Sequence, residues 1–91
     1  MMYRIFRTLE FQKQLDRIDL SIRSQLNKKI EQYAYPQLTQ EPHFGQNIKK
    51  LRDYKPETWR YRIGNFRLFY IIDEKEKIVA MISIDHRKNA Y

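Results

Sequence analysis

Positions 59–72 read WRYRIGNFRLFYII, with Arg60, Arg62 and Arg67 set among the aromatic and β-branched residues that favour strands. Guanidiniums suit one kind of chemistry: a permanent charge and a planar fork of donors that fits phosphate oxygens. Gly64-Asn65 between two strand-like runs predicts a two-residue hairpin turn. Counting outward from it pairs Ile63 with Phe66, Arg62 with Arg67, Tyr61 with Leu68 and Arg60 with Phe69. Alternation then places Trp59, Tyr61, Ile63, Phe66, Leu68 and Tyr70 on a core face and all three arginines on the other. Facing like charges cost about 0.2–1 kcal/mol per pair, and the two strands carry no acid on that face. Splaying into water or stacking over Phe69 is the ordinary fate of such side chains. Three on one face favour an anion site for a phosphate-bearing ligand.

Other cations gather nearby. The chain of 91 residues has 18 Lys and Arg against 11 Asp and Glu, a net charge of +7. Residues 47–67 hold seven of those cations (Lys49, Lys50, Arg52, Lys55, Arg60, Arg62, Arg67) and two acids, Asp53 and Glu57. Such concentration is the footprint of a polyanionic partner, or of a merely soluble basic surface. Further on, ISIDHRKNAY brings His86, Arg87 and Tyr91 to the end of a final strand, at the edge of the same sheet. No phosphate-cradling glycine loop or metalloprotease motif is present, and two isolated histidines do not make a metal site. No cofactor is expected. His43 falls in a loop and receives no role.

The elements that position these residues follow from hydrophobic spacing. Met2–Arg7 alternates as a first strand. Thr8 is a candidate N-cap, with Phe11, Leu15 and Ile18 following at helical spacing. Asp19 offers a second cap before Ile22, Leu26, Ile30 and Tyr33. These predict helices over 8–17 and 20–34, a helical hairpin, with one kinked helix as the alternative. Pro36, Pro42 and Gly45 predict a loop over 35–48. Strands over 59–63 and 66–72, a turn at DEKEK (73–77) and IVAMISI complete the chain. The expected fold is α+β, a single domain over 1–91. Its order is β-α-α-β-β-β, with two N-terminal helices packed on one face of a small antiparallel sheet.

Composition narrows the class. With no cysteine there is no disulfide or thiolate metal site, in keeping with a reducing compartment. No apolar run exceeds five residues, the length of Leu68–Ile72, against roughly 20 for a membrane span. MMYRIFRTLEF lacks the apolar stretch of a signal peptide. A soluble cytoplasmic chain without membrane partners is expected.

LR (51–52), WRYRIGNFRLFY (59–70) and DHRKNAY (85–91) together resemble the pattern of RelE/ParE superfamily toxins. In that pattern a leucine-containing turn precedes W-R-x-R-x-G-x-[YF]-R-x-x-Y, and H-R-x-x-x-Y closes the chain. The resemblance covers essentially the whole sequence. One departure is Asp53, where many relatives carry glycine. The resemblance implies a toxin of a type II toxin–antitoxin pair with a cognate antitoxin as partner. RelE-like members cut mRNA in the ribosomal A site without a metal, whereas ParE-like members inhibit DNA gyrase. By position Arg60, Arg62 and Arg67 match the basic strand residues that hold and polarise RNA. Arg87 matches the C-terminal cation, and Tyr91 the tyrosine that stacks on a base or assists proton transfer. Lys49, Lys50, Arg52 and Lys55 are expected to contact RNA or the ribosome.

In the best-known RelE branch the positions of Arg60 and Arg62 are lysines, and that difference has a chemical consequence. Metal-free RNA cleavage needs a base, cations on the phosphorane and an acid for the leaving oxygen. Arginine effectively cannot give up its proton, so His86 is the leading expected base or acid, with Tyr91 second. The expected function is a ribosome-dependent mRNA endoribonuclease. A ParE-like gyrase inhibitor and a non-catalytic RNA- or antitoxin-binding module are the alternatives.

Overall fold

The computed structural model describes residues 2–86. Strand β1 (Arg4–Arg7) leads through Thr8 into α1 (Leu9–Asp16), and Thr8 joins the two as expected. Its hydroxyl accepts from the Phe11 N–H at 3.2 Å and donates to the Met81 carbonyl at 2.8 Å, tying the cap to the sheet. Helix α2 (Leu20–Lys29) begins at Asp19, whose side chain makes no capping hydrogen bond and accepts instead from the Ser21 hydroxyl.

The helix does not stop at residue 34. A π-helical turn (Ile30–Ala34) passes into α3 (Tyr35–Gln40), so the predicted loop shrinks to 41–47. The wide turn explains how Pro36 is accommodated. The Tyr35 N–H already reaches back five residues to the Ile30 carbonyl, and the displaced ladder leaves room where a proline ring would meet an α-helical carbonyl. It also sets the buried face. Leu26, Ile30, Ala34 and Leu38 are all buried, a spacing of four that drifts by about 40° per step on a regular α-helix. The wider turn offsets that drift, and Tyr33, expected inward, is 61% exposed.

Strands β2 (Ile48–Lys50), β3 (Trp59–Ile63), β4 (Phe66–Asp73) and β5 (Ile78–His86) complete a five-stranded sheet in the order β1-β5-β4-β3-β2. The expected order of elements stands, with the short edge strand β2 added. The sheet is mixed rather than wholly antiparallel, because β1 pairs parallel with β5. Parallel neighbours need a long crossover, which the helices and the returning strands supply. Between β2 and β3, Asp53 sits at φ 61°, in the left-handed region. This accounts for glycine at that place in the resembled pattern, and aspartate is among the residues that tolerate the conformation.

The helices cover one face, where Phe11, Leu15, Ile30 and Leu38 meet Tyr61, Leu68, Tyr70, Val79 and Met81. Arg7 pins this layer. Its guanidinium donates to the Tyr35 hydroxyl at 2.6 Å, Gln12 Oε1 at 3.2 Å and Asn27 Oδ1 at 3.0 Å, so one cation links β1 to all three helices. Arg7→Met keeps the apolar stem and removes the donors. We expect it to lose about 1.5–3 kcal/mol, the range for hydrogen bonds to a charged group, measured by urea unfolding.

His43 fastens the loop that follows α3. Its Nδ1 bonds Glu41 at 2.7 Å, its Nε2 bonds Glu74 in the β4–β5 turn, and the Tyr3 hydroxyl donates to Glu74 at 2.8 Å. The imidazole stands edge-on to Trp59. Burial pushes the His43 pKa down, but the Glu74 and Glu41 carboxylates together outweigh it and leave the group above its ordinary 6.5. Hydrogen bonds from His43 hold both carboxyls below their ordinary 4.5. The imidazolium contribution is complete below pH 6.5 and fades as pH rises through the raised value. The carboxylate contribution is complete above pH 4.5 and fades as pH falls through the lowered values. Thermal unfolding across pH should therefore show the clasp at full strength between 4.5 and 6.5, and His43→Gln should remove that part of the profile.

Candidate functional site

The β3–β4 hairpin turns at Gly64-Asn65, and Gly64 alone takes a positive φ, 58°, the pattern of a II′ turn. The observed register is Trp59 with Tyr70, Arg60 with Phe69, Tyr61 with Leu68, Arg62 with Arg67 and Ile63 with Phe66. Trp59, Tyr61, Ile63, Phe66, Leu68 and Tyr70 are buried under the helices. Arg60, Arg62 and Arg67 therefore share the uncovered face, as the spacing predicts.

Two cross-strand rows build this face. One runs Lys49, Arg60, Phe69, Ser83 across β2, β3, β4 and β5. The other runs Arg62, Arg67, Asp85, with the Arg62 N–H donating to the Asn47 carbonyl at 2.9 Å. Among the described residues, no carboxylate comes within 4.0 Å of any of the three guanidiniums. Arg60 is the most constrained. The residue is half-buried, and its Nε is closed off from solvent without a hydrogen-bond partner. Burial first, then the charges of Arg62 and Arg67, lower its pKa from the ordinary value. For a donor held dry beside two like charges, an anion would supply both the missing acceptor and the missing charge.

Not every expected residue joins. Lys50 pairs with Trp59 in the β2–β3 register and so lies on the other face; its Nζ stands 5.7 Å from the Trp59 ring centroid and 3.1 Å from Glu57. Arg52 and Lys55 are exposed on the loop that joins β2 to β3, leaving Lys49 as the one lysine of the expected set on the arginine face. Arg87 and Tyr91 lie outside the described residues.

His86 is not brought to the arginines. It pairs with Phe66, and its ring stacks on the Phe66 ring at 4.3 Å and 12°, on the side where the helices pack. Hollows of about 340 Å³ and 420 Å³ lie beside it, walled by Ile22 of α2. The cause is a bulge. Tyr70 pairs with Met81 but Phe69 pairs with Ser83, so Ile82 is an extra residue on β5. Unbroken alternation from the buried Val79 and Met81 would turn His86 to the open face. The extra residue inverts that parity, so that Asp85 faces out beside Arg67 and His86 faces in. Sequence spacing gives no sign of the bulge, and Asp85 was not among the expected residues. Among the described residues no group of three or more His, Asp or Glu is placed to hold a metal ion.

Comparison with known proteins agrees with this architecture. A family model described as ParE toxin of type II toxin–antitoxin system, parDE, matches residues 5–91. No curated protein matches the chain. Among solved structures, the toxin–antitoxin complex RelBE2 from Mycobacterium tuberculosis is 26% identical, with 96% of this chain and 100% of that chain covered at a TM-score of 0.72. A free-state arginine double mutant of the E. coli toxin RelE is 22% identical over 99% of this chain and 88% of that one, at a TM-score of 0.69. The RelB–RelE complex from Methanococcus jannaschii is 24% identical, with 94% of each chain covered, at a TM-score of 0.61. The family match takes in the helical layer, the arginine-bearing hairpin and the C-terminal segment alike. The chain belongs to the ParE toxins of type II toxin–antitoxin systems, within the RelE/ParE superfamily.

Proposed function

We propose that this toxin is a ribosome-dependent, metal-independent mRNA endoribonuclease that stops translation. The observation that carries the reading is the Arg60 Nε, buried without a partner on the same face as Arg62 and Arg67. In this reading Arg60 anchors the phosphate next to the scissile bond. Arg62 and Arg67 stabilise the charge that develops on the phosphorane. Lys49 extends the cationic row toward the β2 edge, and Arg52 and Lys55 hold the flanking RNA or ribosome. Arg87 and Tyr91 keep the roles that the sequence pattern implies. The partner in the cell is a cognate antitoxin, as in the RelBE complexes to which the chain is similar.

A second reading, inhibition of DNA gyrase, draws on the ParE family match and on the absence of His86 from the arginine face. Expression without antitoxin separates the two. The first reading expects primer-extension breaks within translated mRNA and unchanged supercoiling. Trapped or linearised DNA in a gyrase assay, with intact mRNA, would establish the second.

Arg67→Ala tests the division between fold and function. Its removal relieves the cross-strand pair with Arg62 and gives up the one with Asp85, two effects of opposite sign and similar size, so unfolding should show a stability within about 1 kcal/mol of the parent. Single-turnover cleavage on programmed ribosomes should fall on the order of 10²–10³-fold, the loss expected for one oxyanion-type donor. Full cleavage would remove Arg67 from the site.

A further inference from the structure

We propose that Asp85 is the catalytic base of this site, taking the proton from the attacking 2′-hydroxyl. The inference rests on the RNA-cleavage reading above and deepens it. Attack of a 2′-oxygen on phosphorus needs a proton acceptor within reach of the cations that hold the phosphate. Arginine effectively cannot serve. His86, the residue whose type suits the task, is stacked on Phe66 on the helix side of the sheet.

The β5 bulge brings a carboxylate to the open face in its place. Asp85 pairs directly with Arg67, which pairs with Arg62, so one row carries an acceptor and two fixed cations. Asp85 is exposed, and among the described residues no cation lies within 4.0 Å of its oxygens. Asp73, the other acid of β4 and β5, stands at the far end of its strand opposite Ile78. The step balances without a metal. Asp85 accepts the 2′-hydroxyl proton as the 2′-oxygen bonds to phosphorus. The bond from phosphorus to the 5′-oxygen then breaks, and the leaving oxygen takes a proton from water. The products are a 2′,3′-cyclic phosphate and a 5′-hydroxyl, while Arg62 and Arg67 face the phosphorane oxygens throughout.

The test is single-turnover cleavage of mRNA on programmed ribosomes across pH, using the full chain, Asp85→Asn, Asp85→Glu and His86→Gln. Thermal unfolding of each variant runs alongside. The unaltered chain should show a rate that rises with pH along an acid limb. Asp85→Asn is isosteric and exposed, so it should unfold like the parent, yet cleave on the order of 10²–10⁴-fold more slowly and without that limb. Asp85→Glu should keep the limb. An Asp85→Asn profile with the parent's limb overturns the inference and leaves the RNA reading standing. Loss of the limb in His86→Gln overturns it equally. Tighter RNA binding by Asp85→Asn at an unchanged rate would reduce Asp85 to a charge-balancing group. No cleavage by the unaltered chain overturns both readings.

Discussion

The helices lie on one side of the sheet, so each strand residue is committed by its parity either to the core or to water. Everything else in the molecule follows from that division. On the covered side Leu68, Tyr70, Val79 and Met81 are fully buried, and their removal from water supplies the driving force for folding. On the uncovered side the same strands need bury nothing. That freedom lets β3 and β4 tolerate three guanidiniums in a place where a two-sided sheet would demand apolar residues. The small repulsion across the Arg62–Arg67 pair is outweighed many times over by the burial directly behind it.

Two polar clusters keep the layers in register. Arg7 is surrounded by neutral acceptors and the rings of Phe11 and Tyr35, so its charge is shared among three helices instead of one carboxylate. His43 does a similar task at the opposite end of α3, where it joins the 41–47 loop to the β4–β5 turn. Both lie on or near the covered side. Among the described residues, no carboxylate comes within 4.0 Å of the guanidiniums of the open face, the condition under which an incoming anion gains most.

Much of this was legible in the residues. The Gly64-Asn65 turn fixed the register of β3 against β4, and with it the face of every arginine. The helical hairpin was legible too, because Thr8 and the spacing of Phe11, Leu15, Leu26 and Ile30 are local signals. What escaped were features that depend on partners remote in sequence. Pro36 reads as a helix terminator unless the π turn before it is known. Ile48–Lys50 has too little pattern to mark a strand, and becomes one only because β3 offers an unpaired edge. His43 lies in a loop as expected but received no role, because Glu74, its second carboxylate, lies 31 positions away. The face that His86 takes could not be read, since neither composition nor spacing announces where a strand will gain a residue.

The bulge at Ile82 bears on how roles are transferred between relatives. Two chains can share the letters Asp-His at the end of the last strand and still differ in which of them shares the arginine face. A single-residue insertion or deletion upstream exchanges an imidazole for a carboxylate without touching either. A change of strand length alone can therefore exchange which side chain shares a face with the arginines, with the letters themselves standing still. A match of motif identifies which groups are available, whereas the parity of the strand that carries them decides which face each one meets.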